Sequence, residues 1–364
     1  MNSVRRWSLV ALVTAVLVAT PLLVGLIPAN GSRVSSDELR RRITASASVG
    51  WSGEVITRGT LQVPNTVAFG GVVNLLGEDN TLRVWWGDAE HWRVDNIRQS
   101  GEADLFRSGT RTTRWVFESN TATITPYSAV RLPDPSDVLP TRLAARLLAG
   151  ATAKELTRLA SRRVAGRSAA GLRLVPSSPA STIDHVDMWA DDTTGLPLRV
   201  EVFGKGDSLP VVTSALSDVT LQRPSADILA FRAPPSAKVR QRESIDVAAG
   251  ANAFAPFVLP DRLATLARRS EQQDLGAVGV YGRGPTALLA IPVRRGLAGR
   301  VRSQLKSATS SRENAVGTAL GVGPLSVLLT RGSRSKGTFL LAGTVTPMTL
   351  EKAAVELGAE VASK

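Results

Sequence analysis

The sequence contains no cysteine, and this absence excludes several kinds of chemistry. Without thiols there is no disulfide framework, no thiolate metal site and no cysteine nucleophile. There is also no cysteine that could carry an N-terminal lipid, so a bacterial lipoprotein is not expected. Histidine is almost as scarce, because the chain has only His91 and His185.

This shortage of histidine restricts both catalysis and metal binding. His185 and Asp187 alternate onto one side of a predicted strand, but one histidine and one carboxylate fall short of a metal site. The chain has no Gly-x-Ser-x-Gly turn, and the fingerprint-like segment Gly282–Ala287 leads into a β-like stretch instead of a helix. The sequence therefore predicts a protein that is not an enzyme, with no catalytic residue, no metal site and no cofactor.

The charge is strongly unbalanced and is concentrated near the C-terminus. The formal net charge is +13, and residues 294–336 contain nine basic residues against the single acidic Glu313. Within this stretch the candidate contacts to an acidic partner or an anionic surface are Arg294, Arg295, Arg300, Arg302 and Lys306. A solvated basic surface is the plainer interpretation. Aromatic residues for base stacking are rare here, so nucleic acid is not the expected partner.

The N-terminus carries one long uncharged run. Trp7 to Ile27 is a stretch of 21 residues without a charge, preceded by Arg5 and Arg6. A helix of this length spans a bilayer, and no good small-x-small cleavage site follows it. We expect an uncleaved signal-anchor over residues 1–29, with a cleaved signal peptide as the alternative. The bulk of the chain is then extracytoplasmic and anchored once in the cytoplasmic membrane.

A period of two between hydrophobic and polar residues dominates the chain from Trp51 onward and predicts strands separated by short turns. The predicted strands cover residues 51–63, 81–86, 92–97, 112–117, 121–125, 171–175, 185–189, 198–203 and 211–221. A helix is expected from Pro140 to Gly150, with a shorter helical piece around 154–160. Many similar strands with short turns favour a meander that curls into a barrel or half-barrel over residues 30–236.

A polar, Gly/Ala-rich stretch over 237–254 is predicted to be a linker, and the pattern then becomes α+β over 255–364. Here we expect a helix over 261–269, a hairpin over 276–293, a helix over 297–307 and a second hairpin over 325–342. A final helix should begin near Pro347, with Thr346 as its cap. The predicted fold class is α+β, with an anchor helix, a half-open antiparallel barrel and a small second domain.

Several motifs in the first domain resemble those of a known superfamily. The motifs occur in order at Trp51–Val55, Leu82–Trp86, Trp92–Asp95, Glu102–Gly109, Trp115–Ser119, Trp189–Asp191, Thr194–Val202 and Phe231–Pro235. In sequence and order they resemble the LolA/LppX/RseB superfamily, especially its actinobacterial members similar to RseB. The match covers about residues 40–236, and Leu340–Pro347 is the best fragment of a looser match in the second domain.

The resemblance implies a half-open barrel with covering helices and a binding function outside the cytoplasm. Members of this superfamily hold or carry lipid-like molecules, or regulate a sigma factor through its anti-sigma partner. A tethered chain suits a stationary sensor that binds a hydrophobic ligand and a membrane-protein partner. A lipid or lipoprotein carrier is the alternative.

The interior of the predicted barrel is the expected ligand site. Its candidate aromatic residues are Trp51, Trp85, Trp115, Phe117 and Trp189. Alternation alone does not decide whether the interior forms an open cavity or a core filled by side chains, and both remain possible at this point.

Overall fold

The structure, a computed structural model, describes residues 34–61, 75–99, 101–128, 131, 133–242, 259–269, 277–332 and 337–360. The predicted anchor segment and most of the predicted linker lie outside these residues. No helix in the described part of the chain is both long and apolar enough to cross a bilayer.

The first part of the chain is built mainly from strands, as the period of two predicted. Its strands are β1 Trp51–Gly59, β2 Asp79–Trp86, β3 His91–Arg98, β4 Gly101–Ser108, β5 Arg111–Val116, β6 Thr121–Pro126, β7 Leu156–Val164, β8 Arg167–Leu174, β9 Ile183–Asp191, β10 Pro197–Gly204, β11 Val212–Thr220 and β12 Lys238–Gln241. Its helices are α1 Ser36–Ala45, α2 Pro140–Leu148 and the short α3 Ala226–Leu229.

These twelve strands form one open sheet with the order β12-β6-β5-β4-β3-β2-β1-β11-β10-β9-β8-β7. Two meanders, β1–β6 and β7–β11, join where β1 pairs with β11, and all pairs are antiparallel except β12 with β6. Because β12 and β7 end the order, the sheet is not closed into a barrel. The short strand β12 occupies the first residues of the predicted linker.

One face of the sheet, called here the inner face, carries the core. Helices α1 and α2 lie against this face over β8–β11, and Leu39, Ile43, Ala144 and Leu148 pack there against apolar strand residues such as Met188. Helix α1 begins at the cap Ser35, whose side chain accepts a hydrogen bond from the Glu38 amide at 3.2 Å. Neither of these two helices packs against β3, β4 or β5.

The second part of the chain is α+β, as predicted. Its elements are β13 Arg262–Leu263, β14 Leu266–Ala267, β15 Gly279–Arg283, β16 Thr286–Pro292, α4 Arg295–Lys306, β17 Ser311–Glu313, β18 Gly317–Val322, β19 Leu325–Thr330, β20 Phe339–Gly343 and α5 Pro347–Glu360. Six of the strands form a sheet in the order β15-β16-β20-β19-β18-β17. Helix α5 lies against β19 and β20 and buries Leu350 and Leu357.

The two parts are joined by apolar packing and by backbone hydrogen bonds. One apolar cluster runs from the inner face of the large sheet to α4, β18 and β19. The segment before β9 also runs beside the end of β20, where the Thr182 amide donates to Thr344 at 3.1 Å and the Thr346 amide donates to Ala180 at 2.8 Å. The predicted boundaries between domains therefore stay a prediction, but the two parts share a continuous interface.

Two local predictions are wrong. The helix expected over 261–269 is the hairpin of β13 and β14, turned by Ala264 and Thr265 with φ angles of 49° and 73°. Positive φ at both turn residues fits a two-residue hairpin loop, and Glu356 fixes the turn by accepting from the Ala264 amide at 2.6 Å. The helical piece expected around 154–160 is one short turn, Ala153–Glu155, followed by β7.

Candidate ligand-binding site on the inner face

The part of the inner face that the helices leave uncovered lies over β3, β4 and β5. Residues directly opposite one another in neighbouring antiparallel strands point to the same face. In this region Val94 lies opposite Leu105, and Leu105 lies opposite Arg114. The next row contains Asn96, Ala103 and Val116. The inner face thus changes along its strands from apolar to partly charged.

A cavity of about 410 Å³ lies over these rows. Its lining includes the apolar side chains of Leu75, Ala103, Leu105 and Val116, and a short loop closes one side. The loop contributes Pro133, Asp134 and Pro135, and the polar lining from the strands and their ends comes from Asn96, Arg98, Glu102, Asp104, Arg114 and Glu118. The volume falls within the usual range for small-molecule pockets.

Asn96 is a polar lining residue with a buried acceptor. The residue is 4 % exposed, and its Oδ1 atom has no hydrogen-bond partner among the described residues. A buried acceptor without a partner costs about 1–3 kcal/mol. A ligand or an ordered water that donates a hydrogen bond would remove this penalty.

The loop beside the cavity is held by a dense network of charges. Asp137 is buried and accepts from Arg131 at 2.7 Å and 3.1 Å, and it also pairs with Arg146. Burial raises the pKa of Asp137, but the hydrogen bonds from Arg131 and the charge of Arg146 outweigh this and lower it. Because α2 begins directly after this turn, the network fixes the cavity wall to the covering helix.

The opposite, outer face of the same strands carries a buried acidic cluster. Asp95 and Asp104 lie directly opposite each other, and carboxylate oxygens of Asp95, Glu102 and Asp104 lie within 4.8 Å of one another. Arg93 donates two hydrogen bonds of 2.7 Å to Asp95 and one of 3.3 Å to Asp104. Burial, followed by the nearby Asp95, raises the pKa of Asp104 to about 7.

The structure places the five predicted aromatic residues at different positions. Trp51 is buried on the inner face, in line with Trp86, whereas Trp85 and Trp115 lie on the outer face. Phe117 is 68 % exposed at a turn. Trp189 lies on the opposite side of the sheet from Met188, and its indole donates to the Ala160 carbonyl at 3.1 Å.

Two inner-face tryptophans were missed because sequence alternation does not distinguish Trp85 from Trp86. The register places Trp86 opposite both Trp51 and Trp92, and the rings of Trp86 and Trp92 stack with centroids 5.9 Å apart. The polar lining at Asn96 and Arg98 was also missed. The sequence does contain a signal for this polar lining. Every second residue of β3 points to the same face, and this series begins with the apolar Trp92 and Val94 and continues with the polar Asn96 and Arg98.

Four of the five predicted basic contacts lie on α4, and they differ in the contacts that they make within the protein. Arg302 donates to the carbonyls of Thr330 and Arg331 at 2.8 Å and 3.4 Å, and Lys306 pairs with Glu313 at 2.8 Å. These two cations therefore also stabilise the fold. Arg294, Arg295 and Arg300 are exposed, and so is Leu297. Of the other basic residues in this stretch, Arg334 and Lys336 lie outside the described residues.

Comparison with known proteins finds similarity only at the level of structure. No protein-family model matches the sequence, and no curated protein matches it. The chain is similar to MucB in the MucA/MucB complex of Pseudomonas aeruginosa, with 17% identity, a TM-score of 0.47, and coverage of 88% of this chain and 96% of that one. It is also similar to a LolA superfamily protein from Nitrosomonas europaea, with 13% identity, a TM-score of 0.26, and coverage of 54% and 98%.

Proposed function

We propose that this protein is a membrane-tethered, extracytoplasmic sensor or regulator that binds a hydrophobic or lipid-like ligand on the inner face of its large sheet. The observation that carries the proposal is the cavity over β3–β5. It combines apolar lining from Leu75, Leu105 and Val116 with the buried acceptor of Asn96, which no described residue satisfies. Apolar walls with a few placed polar groups are typical of ligand sites.

The arrangement of the remaining inner face supports this assignment of the site. Over β8–β11 the covering helices pack apolar side chains such as Leu39, Ile43 and Ala144 against the inner face. Helices α1 and α2 do not pack against β3–β5, and the loop at Pro133–Pro135 lines one side of the cavity there. Among the described residues neither α1 nor α2 lies over this part of the sheet, so a ligand can enter there without unfolding the core.

A second role, contact with a protein partner, completes the proposal. The exposed cations of α4 offer complementarity to an acidic segment of a membrane protein such as an anti-sigma factor. The uncharged run from Trp7 to Ile27 supplies the tether and the extracytoplasmic location. A reporter that is active only in the cytoplasm should be silent when fused after Lys364, and activity there would contradict this topology.

Native mass spectrometry of the full-length chain extracted from its membrane tests ligand binding. We expect adducts of lipid mass on the wild-type protein. Ala103→Trp, which fills the cavity, should remove them, while the control Arg111→Trp, at an exposed outer-face position, should keep them. Adducts that persist in Ala103→Trp at the wild-type level would place the ligand elsewhere and contradict the proposal.

A further inference from the structure

A cluster of arginines surrounds one tyrosine at the edge of the ligand cavity. The guanidinium carbon of Arg107 lies 3.3 Å from the ring centroid of Tyr127, and that of Arg131 lies 5.7 Å from it. The guanidinium of Arg142 lies 5.8 Å from the ring of Trp86 on the inner face. Arg107 belongs to β4 and lies two residues along the strand from Leu105, which lines the cavity.

Positive charge exceeds negative charge in this cluster. Its acidic members are Asp134 and Asp137. Both pair with Arg131, at 2.9 Å and 2.7 Å, and Asp137 also pairs with Arg142 at 3.6 Å. Arg107 donates instead to the Gly109 carbonyl at 3.2 Å. With Arg142 and Arg146 included, four guanidinium groups face two carboxylates, which leaves an excess of two positive charges.

The tyrosine itself responds to this excess. Burial raises the pKa of Tyr127, but a hydrogen bond from Arg142 and the charges of Arg142, Arg131 and Arg107 outweigh burial and lower it. The positive potential that stabilises a negative charge on the phenol oxygen would also stabilise an anion bound next to it.

A buried hydrogen-bond donor lies beside the cluster. Trp92 is directly opposite Arg107 in the sheet and is fully buried, and its indole N–H has no hydrogen-bond partner among the described residues. Trp92 thus adds a donor to those of the arginines. The missing component is an acceptor, and a ligand oxygen is the simplest acceptor that also carries the compensating charge.

We propose that Arg107, Tyr127 and Arg142 bind a phosphate or carboxylate group, and that the ligand of the inner face is accordingly an anionic amphiphile. This inference rests on the proposed function and adds the charged end of the ligand to it. The apolar part of the molecule lies in the cavity beside Leu105 and Val116. Guanidinium groups suit phosphate and carboxylate because charge-assisted hydrogen bonds to them are short and strong.

The test compares three soluble probes on the purified full-length chain in nanodiscs of zwitterionic lipid. Hexyl phosphate has both a chain and a charge, 1-hexanol has the chain alone, and inorganic phosphate has the charge alone. Binding is measured by calorimetry and by the change in the protein's tryptophan fluorescence. We expect hexyl phosphate to bind at least about tenfold more tightly than either of the other probes.

Substitutions then locate the anion. Arg107→Gln combined with Arg142→Gln should reduce hexyl phosphate binding to the level of 1-hexanol while 1-hexanol binding is unchanged. Tyr127→Phe, a milder change, should lose part of the preference. The control Arg111→Gln, at an exposed outer-face position of the neighbouring strand, should retain it, and circular dichroism should show all variants folded.

The outcomes separate this inference from the proposed function. Equal binding of hexyl phosphate and 1-hexanol, or a preference that survives the double substitution, would overturn the anion site and leave the apolar cavity intact. Inorganic phosphate binding as tightly as hexyl phosphate would support an anion site for free phosphate and contradict the amphiphile. Failure of all three probes to bind would overturn both proposals.

Discussion

Glu155 and Arg283 are joined by a two-pronged salt bridge that connects the large sheet to the second part of the chain. Arg283 donates from its two terminal nitrogens at 2.6 Å and 2.8 Å, and Glu155 accepts four further hydrogen bonds from Thr152 and Ser177. Burial raises the pKa of Glu155, but these hydrogen bonds, led by those from Arg283, outweigh burial and hold the pKa well below its usual range.

The salt bridge also reaches the helix that covers the inner face. Arg283 donates to the carbonyl of Gly150, just after α2, at 2.7 Å. The next residue, Gly284, has a φ of +50°, and a Cβ there would lie 2.7 Å from the Leu147 carbonyl oxygen. The turn between β15 and β16 is therefore fitted against the C-terminal end of α2.

We predict that Glu155→Gln lowers the free energy of unfolding by about 2 kcal/mol, because a buried acceptor of six hydrogen bonds loses its charge and part of its acceptor capacity. Chemical denaturation measures the change, and a double-mutant cycle with Arg283→Met should show coupling between the two residues. Arg312→Met, at an exposed position in the same part of the chain, is the control. Additive effects of the two substitutions would show that the salt bridge does not join the two parts energetically.

The acidic cluster of the outer face predicts a dependence of stability on pH. Burial and Asp95 raise the pKa of Asp104 from 3.8 to about 7. Because the folded-state pKa is the higher one, Asp104 contributes stability fully below pH 3.8 and loses that contribution as the pH rises through about 7. Asp104→Asn is neutral at every pH, so its stability relative to the wild type should increase by about 1–2 kcal/mol between about pH 5 and about pH 8. Thermal melts across this range measure the difference, and a constant difference would contradict the raised pKa.

The exposed cations of α4 predict binding that depends on salt. Arg295→Glu with Arg300→Glu should abolish association with anionic vesicles or with an acidic partner segment, and wild-type affinity should fall steeply with ionic strength. Arg302 is left unchanged in this test because its hydrogen bonds to Thr330 and Arg331 support the fold.

The matched control for the α4 experiment reverses the same number of charges on the large sheet. Arg111→Glu with Arg240→Glu, both at exposed positions, should leave vesicle and partner binding unchanged. If the two double variants behave alike, net charge and not the α4 surface determines binding.

The sequence also predicts a protease-sensitive connection. Limited proteolysis should cut first around Arg240–Ala251, because this run of small and polar residues has no hydrophobic period. Both flanking parts should survive as fragments, which mass spectrometry identifies. A first cut within the large sheet would show that the predicted boundary is wrong.

Strand positions could be predicted from the sequence because one buried face imposes a period of two, as in β1, β2 and β10. The hairpin of β13 and β14 could not, because Ala264 and Thr265 occupy left-handed turn positions that usually hold Asn or Gly. Strand β7 was missed because Thr157–Arg163 has few inward apolar residues and its pairing with β8 is irregular after Leu159.

The sequence predicts an inner face, but it does not predict which residues line the candidate site. Alternation identifies residues that share a face, yet it does not decide which face a pair such as Trp85 and Trp86 presents inward. That choice is made by register with Trp51, which is a long-range property. The positions of Arg98 and Arg114 in the cavity lining follow from the same register, and a hydrophobicity pattern does not predict them.

Site-specific photo-crosslinking in living cells tests whether a ligand binds on the inner face of β3–β5. A photoreactive phenylalanine analogue replaces either Leu105, which lines the cavity, or Thr113, which lies on the outer face of the neighbouring strand. Illumination should yield a lipid-mass adduct at position 105 and none at position 113. No adduct at 105, or equal adducts at both positions, would contradict the account.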